Sequence, residues 1–546
     1  MSDPQEGYSN SARNQMEENL LKLFAPSEET LSTEQEIDAR ISGIIQEFLR
    51  STQISSSVEL GALVEGFKNS QIPAGPGRVD SYLEYLEDKV IAHSTNTSSP
   101  RFIGHMTSAL PYFMRSLSKL IFAMNQNLVK VETSKAMTPY ERQALGMMHR
   151  LIYNFSDDFY QQCIQQSNST LGIVVSGGTV ANIGALWCAR NNSLKATNGF
   201  AGVGAEGLHA ALDFYGYKSA VIIGSSLMHY SFEKTAELLG IGTKGLIKVP
   251  VGRDNRIDLI ALRQAISDCR ARNQHIMAIV GIAGTTDSGA LDPLTEMAEI
   301  AYEEKIHFHV DAAWGGPTLF SDQHRHKLAG IERADSVTID GHKQLYLPMG
   351  IGLLLLRDPK AAQVIERHAR YIVRKESIDL GKRSLEGSRS GMALLLHAAL
   401  TIIGHRGYGF LIDEGIRKTQ YMAKSIRARQ EFELLIDPEI NILNYRYVPA
   451  AFREKALSRL LTTSDHESIS HFNESLQKSQ RRAGHSFVSR TKLDASCYGT
   501  ATPIAALRAV IANPLTKESD IDAVLDEQAK IALELAQLGN TSSMSR

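Results

Sequence analysis

The chain has 546 residues, which is too long for one ordinary hydrophobic core. Hydrophobic residues make up 43% and charged residues 22%, as in globular proteins, and the net charge of −2 argues against a general nucleic-acid binder. Four scattered cysteines without CxxC spacing indicate a reduced compartment, and no secretory signal or membrane-spanning apolar run is visible, so we expect a cytoplasmic protein without a membrane partner.

The first hundred residues predict a helical arm. Residues 1–30 are polar and aperiodic, which indicates a mobile tail. Isoleucine and phenylalanine then recur at helical spacing over residues 37–48, and the Pro/Gly-rich residues 73–77 break the chain. Because so small a segment cannot bury its apolar face alone, we expect residues 1–100 to pack on the main body or on a second subunit.

A large α/β domain is predicted for residues 101–384. The run Thr138-Pro139-Tyr140-Glu141 has the signals of a helix start, with threonine as the cap and glutamate three residues after it. Apolar runs then alternate with helical segments such as Asp258–Cys269, which favours a mostly parallel sheet covered on both faces. The predicted strands are Gly172–Val175, Ala220–Gly224, Leu246–Val249, Ile276–Ile282, His307–Val310, Ser336–Ile339 and Gly352–Leu356.

A smaller C-terminal α+β domain is predicted for residues 385–546. A long apolar helix leads to strand-like runs at residues 432–436 and 440–448, and a further run follows at 504–511. Between the predicted strands of the large domain, the Gly/Ala-rich residues 198–211 are expected to form an exposed insertion.

Two separated residues have the chemistry that pyridoxal phosphate (PLP) requires. Lys343 can form an imine with an aldehyde, and Asp311 can hold a protonated pyridine nitrogen by its opposite charge. Lys343 follows Asp311 by 32 residues, and each comes after an apolar strand-like run. Either residue alone would mean little, but together they predict PLP as the cofactor. Ala313, expected on the same strand face as Asp311, is small enough to let the ring approach.

Other polar groups are predicted at the carboxyl ends of the same sheet, where open α/β sheets bind ligands. Gly178 and Thr179 open a helix after a strand, which suits a phosphate, although a simple tight turn fits them about as well. His229 follows another strand and can lie flat on the cofactor ring. Thr286 can meet a ring substituent, or it can cap a helix.

With these residues, the chain resembles the group II PLP-dependent amino-acid decarboxylases, the family of glutamate, cysteine-sulfinate and aromatic amino-acid decarboxylases. The similarity runs from Arg101 to about residue 535, and its most specific motifs are His309–Trp314 and His342-Lys343. It implies the fold type I of PLP-dependent transferases and a homodimer whose N-terminal arm wraps on the partner. The cofactor contacts that it implies are Lys343 as the Schiff base, Asp311 at the pyridine nitrogen, His229 on the ring, Thr286 near it, and Gly178, Thr179 and His342 at the phosphate.

Two further matches concern the reaction. His368–Ile372 resembles the entrance to the family's mobile catalytic loop, which implies that Tyr371 is the general acid. Leu507–Pro514 resembles the segment whose arginine grips a substrate carboxylate, so Arg508 is the candidate. Without the resemblance, Arg508 would more simply be a surface salt-bridge residue.

The substrate depends on the resemblance alone. Arg101–Pro111 and Asp340–Gly350 look most like the bacterial PLP-dependent aspartate 1-decarboxylases, which make β-alanine for pantothenate. Glutamate, giving 4-aminobutyrate, and cysteine sulfinate stay open, because one methylene is worth only about 1–3 kcal/mol in a pocket. His105 stands where glutamate decarboxylases have a side chain that meets the distal carboxylate, and Asn127 is a second candidate there.

Asp340 departs from the asparagine that the family often has, which leaves its contact open. Rival hypotheses explain fewer of the residues. A retro-aldol lyase or desulfurase of the same fold would need neither Tyr371 nor Arg508, and a PLP-fold protein without turnover has no reason to keep the lysine, the aspartate and the stacking histidine. His307 and His309 lack a cysteine or carboxylate at ligand spacing, so no metal is predicted.

Overall fold

A computed structural model describes residues 27–368, 376–493 and 502–543, with residues 14, 15, 18 and 20–24 before them. The chain divides into two compact units, Met1–Ser99 and Pro100–Arg546. The boundary that the sequence predicts between residues 384 and 385 lies inside the second unit and stays a prediction.

The first unit is helical. Its helices are α1 (Glu28–Arg50), α2 (Leu60–Glu65) and α3 (Val79–Tyr85), followed by a π turn at Leu86–Val90 and a 3₁₀ turn at Ile91–His93. The Ser27 side chain caps α1 by accepting the N–H of Thr30. The Asn96 amide donates to the carbonyl of Phe48 at 3.1 Å and so ties the end of the unit to α1. The predicted helix is confirmed, although it begins at Glu28, inside the segment predicted as a tail.

A seven-stranded sheet forms the centre of the second unit. Its strands are β1 (Gly172–Val175), β2 (Ser219–Ser225), β3 (Leu246–Val249), β4 (Gln274–Ile282), β5 (His307–Asp311), β6 (Ser336–Asp340) and β7 (Gly352–Leu356). Their order is β1-β7-β6-β5-β4-β2-β3. The pairs β3–β2, β2–β4, β4–β5 and β5–β6 are parallel, and β7 is antiparallel to both of its neighbours, β1 and β6. The predicted mostly parallel sheet is confirmed.

Helices cover both faces of this sheet. They are α4 (Phe113–Met124), α5 (Val131–Ser134), α6 (Met137–Tyr153), α7 (Asp157–Cys163), α8 (Gly178–Ser193), α9 (Val203–Tyr215), α10 (Ser231–Leu238), α11 (Leu259–Ala271) and α12 (Leu294–Glu304). Alternate residues of β2 enter different buried clusters: Val221 and Ile223 lie in one, Ala220 and Ile222 in the other. Two-sided burial explains why the strands read as nearly continuous apolar runs.

The cap predicted for α6 is wrong. The helix begins at Met137, and Ala136 before it is already helical because α5 precedes it directly. Thr138 therefore lies inside the first turn, where its hydroxyl is 2.6 Å from that of Ser134. Glu141 does not reach back to a cap, because its carboxylate is held by the guanidinium of Arg389.

Residues 198–211 are mostly exposed, as their composition predicts, but most of them are helical. Helix α9 begins at Val203 and is kinked at Gly207 (φ 86°). Val203, Phe200 and Ala211 are buried together with Leu194. Alanine is a strong helix former, and the left-handed backbone of Gly202 (φ 97°) turns the chain into the helix, so a sequence that reads as a flexible loop packs here.

A four-stranded antiparallel sheet follows. Its strands, β8 (Phe432–Ile436), β9 (Ile442–Tyr447), β10 (Ser489–Leu493) and β11 (Ile504–Val510), lie in the order β10-β11-β9-β8. The accompanying helices are α13 (Ala393–Ile402), α14 (Gly404–Arg427), α15 (Arg453–Leu457), α16 (Thr463–Ala483) and α17 (Glu518–Ser543). The single long helix predicted after residue 385 is thus divided in two, at Gly404 (φ 70°). None of the described helices combines the length and apolar character needed to cross a bilayer.

We expect the Glu141–Arg389 pair to contribute strongly to stability, because Glu141 is 1% exposed and its partner is also buried. Glu141→Gln leaves a buried cation unpaired and should lower the free energy of unfolding by about 3–5 kcal/mol. Glu303→Gln is the matched control, since the Arg263–Glu303 pair (3.0 Å) is more than half exposed on both sides and should be worth less than about 1 kcal/mol. Urea denaturation followed by circular dichroism measures both, and equal losses would contradict the burial argument.

Candidate active site

A cavity of about 550 Å³ opens at one edge of the large sheet, within the range of about 300–1,000 Å³ usual for small-molecule sites. Strands β1, β2, β4, β5 and β6 all run in one direction and end at this edge. The segments after them line the cavity with Gly178 and Thr179, His229, Thr286, Asp311 and Ala313, and His342 and Lys343. The tertiary structure therefore brings together residues that the sequence predicted separately.

The N-terminus of α8 forms one end of the cavity. The Gly178 N–H donates to Oδ2 of Asp340 at 3.2 Å, and Asp340 is buried. Nδ1 of His342 lies 2.9 Å from Oδ1 of the same carboxylate, and Nζ of Lys343 lies 4.0 Å from Oδ2. No atom would meet a Cβ placed on Gly177, so an anion has room at the free N–H groups of the helix. The sequence left the contact of Asp340 open. In the structure its carboxylate contacts Gly178 and His342 at this end of the cavity.

Asp311 is fixed by two hydrogen bonds. Its Oδ2 accepts the Asn182 side-chain amide at 3.0 Å, and its Oδ1 accepts the Ala313 N–H at 3.1 Å. Ala313 does not lie on the strand face predicted for it, because β5 ends at Asp311 and the chain turns there. The turn directs the Ala313 N–H at the carboxylate, and the small side chain still lines the cavity. A carboxylate held on both oxygens presents a defined charge to a ligand.

Asn182 is a site residue that the sequence analysis missed. It lies on α8 four residues after Gly178, so it occupies the same helix face, and this spacing was a usable signal. His309 was considered only as a metal ligand and rejected. It alternates with Asp311 on β5 and therefore shares its side of the sheet, where it contacts the Asn182 amide at 3.1 Å.

His229 follows β2 and faces the cavity with its imidazole. Its Nδ1 accepts the N–H of Ser231 at 3.3 Å, which places the ring proton on Nε2. Burial lowers the pKa of His229, and this effect outweighs the opposing attraction of Asp311. The imidazole is therefore neutral at pH 7, a form suited to stacking on a cationic ring.

Arg508 brings a buried cation from the small sheet. It lies on β11, and its Nη1 donates to the Ser489 hydroxyl at 3.0 Å and to the Gly104 carbonyl at 3.3 Å. Within the part of the chain that the structure describes, its Nε has no hydrogen-bond partner. Burial lowers the pKa of Arg508 to about 10, with Asp287 opposing the shift, so the guanidinium stays charged at neutral pH. A cation with an unused donor at a cavity wall is suited to bind a carboxylate.

His105 is placed near Arg508 by backbone pairing with the small sheet. The N–H of Ile103 donates to Phe487 and the N–H of Val510 donates to Ile103, so this segment runs along the sheet. Partial removal from water lowers the pKa of His105, and the Arg508 charge lowers it further. The positive charge on this side of the cavity therefore comes from Arg508, which favours negatively charged ligands.

One predicted site residue lies elsewhere, and another falls outside the described residues. The Asn127 amide donates to Ser388 at 2.9 Å and accepts the N–H of Val129, so within one chain it does not line the cavity. Its predicted substrate contact stays a prediction. Tyr371 falls in residues 369–375, outside the described residues, and its predicted role as the general acid is likewise a prediction.

The residues present fit PLP. An amine at Lys343, a fixed carboxylate at Asp311 and an anion site at a helix N-terminus are the three groups that this cofactor needs. Among the described residues, the buried Nε of Arg508 has no hydrogen-bond partner, and Asp340 Oδ1 and His342 Nδ1, 2.9 Å apart, have no partner other than each other. Buried polar atoms without partners are rare in folded proteins, and these three belong to residues that line the cavity.

Comparison with known proteins gives a consistent result. Residues 63–448 match a family model described as "Pyridoxal-dependent decarboxylase conserved domain". Aspartate 1-decarboxylase of Aliivibrio fischeri (strain ATCC 700601 / ES114) is 46% identical over 519 residues, covering 94% of each chain. L-2,4-diaminobutyrate decarboxylase of Acinetobacter baumannii is 28% identical over 384 residues, which cover 68% of this chain and 72% of the relative.

Solved structures share the fold. Mouse CSAD has a TM-score of 0.80 at 24% identity, covering 92% of this chain and 99% of its own. The glutamate decarboxylase domain of a Vibrio parahaemolyticus diaminobutyrate-pyruvate transaminase and L-2,4-diaminobutyrate decarboxylase has a TM-score of 0.79 at 23% identity, covering 95% and 99%. At these identities the likeness concerns the fold alone.

We expect Asp340→Asn to bind PLP more tightly than the unchanged protein does. The Asp340 carboxylate accepts the Gly178 N–H where a phosphate would bind, so it competes with the phosphate and repels it. An amide keeps the acceptor without the charge, and affinity should rise about tenfold or more, since unit charges 4 Å apart interact by about 4 kcal/mol near a protein surface. Titration of the apoprotein measures the affinity, and pyridoxal, which lacks the phosphate, is the control. An equal gain for both ligands would contradict this assignment.

Proposed function

The chain belongs to the pyridoxal-dependent decarboxylase family, and on that premise we propose that it converts L-aspartate to β-alanine and carbon dioxide. The enzyme is a carboxy-lyase with PLP as its cofactor. The observation that carries the substrate proposal is the 46% identity to an aspartate 1-decarboxylase over 94% of both chains. The charged guanidinium of Arg508 in the cavity wall supports an acidic substrate. The proposed product is a precursor of pantothenate.

PLP, when bound, supplies a conjugated ring that accepts the electrons of a bond broken at the substrate α-carbon. The proposed role of Lys343 is to hold the cofactor covalently and to release it to the substrate amino group. Asp311, held by Asn182 and Ala313, keeps the ring nitrogen protonated because opposite charges favour the ionised form of both partners. His229 packs its neutral ring on the cofactor face.

Substrate orientation decides which bond is broken. We assign to Arg508 the substrate carboxylate, since the buried guanidinium is held by Ser489 and Gly104 and keeps an unused donor. His105 is the proposed second contact to an acidic group. Tyr371 is the proposed proton donor to the α-carbon after carbon dioxide leaves. This assignment is based on sequence resemblance alone.

The cofactor phosphate is assigned to the N-terminus of α8. Gly178 and Thr179 begin this helix, and His342 lies across the cavity edge. Free N–H groups and the partial positive charge of the helix favour a phosphate there. Thr286 is assigned to the neighbourhood of the ring, since it follows β4 and lines the same cavity.

Charge separates the alternative substrates. L-2,4-diaminobutyrate, the substrate named for one relative, has a cationic side chain that the charged guanidinium of Arg508 would repel. Glutamate and cysteine sulfinate have an anionic side chain and are therefore the alternatives that the cavity allows.

We also propose a homodimer in the cytoplasm. Helix α4 exposes Leu120, Phe122 and Met124, and Tyr112 before it is 78% exposed, so this surface is apolar enough to be covered by a second copy. Among the described residues, Cys163, Cys188 and Cys269 are unpaired, which agrees with a reducing compartment.

The decisive experiment measures carbon dioxide released from carboxyl-labelled amino acids. We expect kcat/KM for L-aspartate to exceed that for glutamate by about tenfold or more, the discrimination that one methylene allows. Cysteine sulfinate, which differs from aspartate in its acid group and not by a methylene, is measured beside them. Aromatic amino acids should give no release above background. A preference for glutamate would mean that the enzyme makes 4-aminobutyrate instead of β-alanine. If none of these amino acids releases carbon dioxide, the proposal of an acidic substrate is overturned.

Arg508→Lys tests substrate recognition. The variant keeps the charge but loses the planar fork, so kcat/KM for aspartate should fall by about 10–100-fold, the value of one or two hydrogen bonds to a charged group. PLP affinity should change little. The control is Arg490→Lys, a partly exposed arginine on the adjacent strand β10, for which we expect nearly unchanged kinetics. Equal losses of substrate turnover and PLP affinity in Arg508→Lys would indicate misfolding instead.

A further inference from the structure

A row of hydrogen-bonded side chains runs from Asp311 into the protein. Asn182 Nδ2 lies 3.0 Å from Asp311 Oδ2, and His309 Nε2 lies 3.1 Å from Asn182 Oδ1. Ser336 Oγ is 2.9 Å from His309 Nδ1 and 2.8 Å from His307 Nε2. Asp311, Asn182, His309 and Ser336 are all less than 10% exposed. Only Asn182 and Asp311 line the cavity, so the rest of the row lies behind it.

The fold aligns this row through simple geometry. His307, His309 and Asp311 alternate on β5 and so point to one face of the sheet. Ser336 on β6 is directly opposite His309 in the parallel register. Asn182 comes from α8, which packs against β5 and β6. Three elements distant in sequence therefore contribute to one connected line.

The direction of the hydrogen bonds is determined by Asn182. Its Nδ2 donates to the Asp311 carboxylate and to the Ser231 hydroxyl, at 3.0 and 3.1 Å. A reversed amide would put its carbonyl oxygen against a carboxylate oxygen, with two acceptors and no proton between them. The Asn182 oxygen must then accept the N–H of His309 at Nε2.

His309 continues the same direction. Burial lowers its pKa to about 3, with His307 adding to the effect, so the imidazole is neutral and has one ring proton. Since that proton is on Nε2, Nδ1 accepts the hydroxyl of Ser336. The Ser336 oxygen in turn accepts the Nε2–H of His307. Every donated hydrogen in the row points toward Asp311.

We infer that Asn182 and His309 are positioning residues that set the charge state of the cofactor's ring nitrogen through Asp311. This inference rests on the proposed pairing of Asp311 with that nitrogen. Hydrogen bonds aligned in one direction polarise one another and stabilise the negative charge at their end. Because a carboxamide does not ionise, Asn182 transmits this polarisation but no proton.

Four variants separate this role from packing. Asn182→Ala removes both the donor to Asp311 and the acceptor for His309. His309→Leu removes the second link, whereas His309→Gln keeps an N–H donor and an acceptor in a side chain of similar reach. His149→Leu is the matched control, because His149 is also 0% exposed but contacts Tyr160 and Leu356 instead.

The readout is the nitrogen-15 NMR resonance of the enzyme loaded with PLP labelled at the ring nitrogen. Asn182→Ala and His309→Leu should move the resonance toward the position of an unprotonated ring nitrogen. They should also lower kcat by about tenfold or more, which corresponds to the free energy of one hydrogen bond to a charged group. The change in KM should be smaller. His309→Gln and His149→Leu should keep the wild-type resonance, even where thermal stability falls.

Asp311→Asn, measured at saturating PLP, distinguishes two failures. If Asp311→Asn leaves the resonance unchanged, the proposed pairing of Asp311 with the ring nitrogen is wrong. The inference about Asn182 and His309 is then wrong as well. If Asp311→Asn moves the resonance but Asn182→Ala does not, only the inferred role of the row is overturned. Should His309→Leu fail to fold, the Asn182→Ala result decides alone.

Discussion

The proposed function requires Asp311 to be a carboxylate, and at the edge of the large sheet this residue is 7% exposed. An isolated buried charge is costly unless hydrogen bonds replace its hydration. Here the donors are the Asn182 amide and the Ala313 N–H, supplied by a neighbouring helix and by the turn that ends β5. The charge thus depends on the parallel topology, which brings strand ends and a helix N-terminus to one edge.

The charges in the cavity are separated by sign and by origin. The large sheet provides both carboxylates, Asp311 and Asp340, together with the amine of Lys343. Arg508 comes from the small sheet, and the segment containing His105 is bound to that sheet through backbone hydrogen bonds. Groups for the cofactor and groups proposed for the substrate therefore lie on different sheets. The small sheet can then vary its substrate contacts while the large sheet keeps the same cofactor site.

Asp340 makes this anion site unusual, because a carboxylate accepts the N–H of Gly178 at the helix N-terminus where a phosphate is expected. Nδ1 of the His342 ring lies 2.9 Å from the same carboxylate. The same helix continues to Asn182, so one element reaches both Asp340 and Asp311. A helix in this position couples the phosphate site to the ring-nitrogen site through its own rigidity.

The sequence by itself determined the strands of the large sheet almost to the residue, and it identified Lys343 and Asp311, because apolar runs and strand-end residues are local signals. The tertiary structure decided the rest. It paired Glu141 with Arg389, whereas the sequence pattern had predicted that Glu141 caps a helix. It also placed part of a glycine-rich segment in helix α9. It also linked His309 to Asp311 through the Asn182 side chain of helix α8. The contacts of Glu141 and of Asn182 join residues more than a hundred positions apart, and no local periodicity reports them.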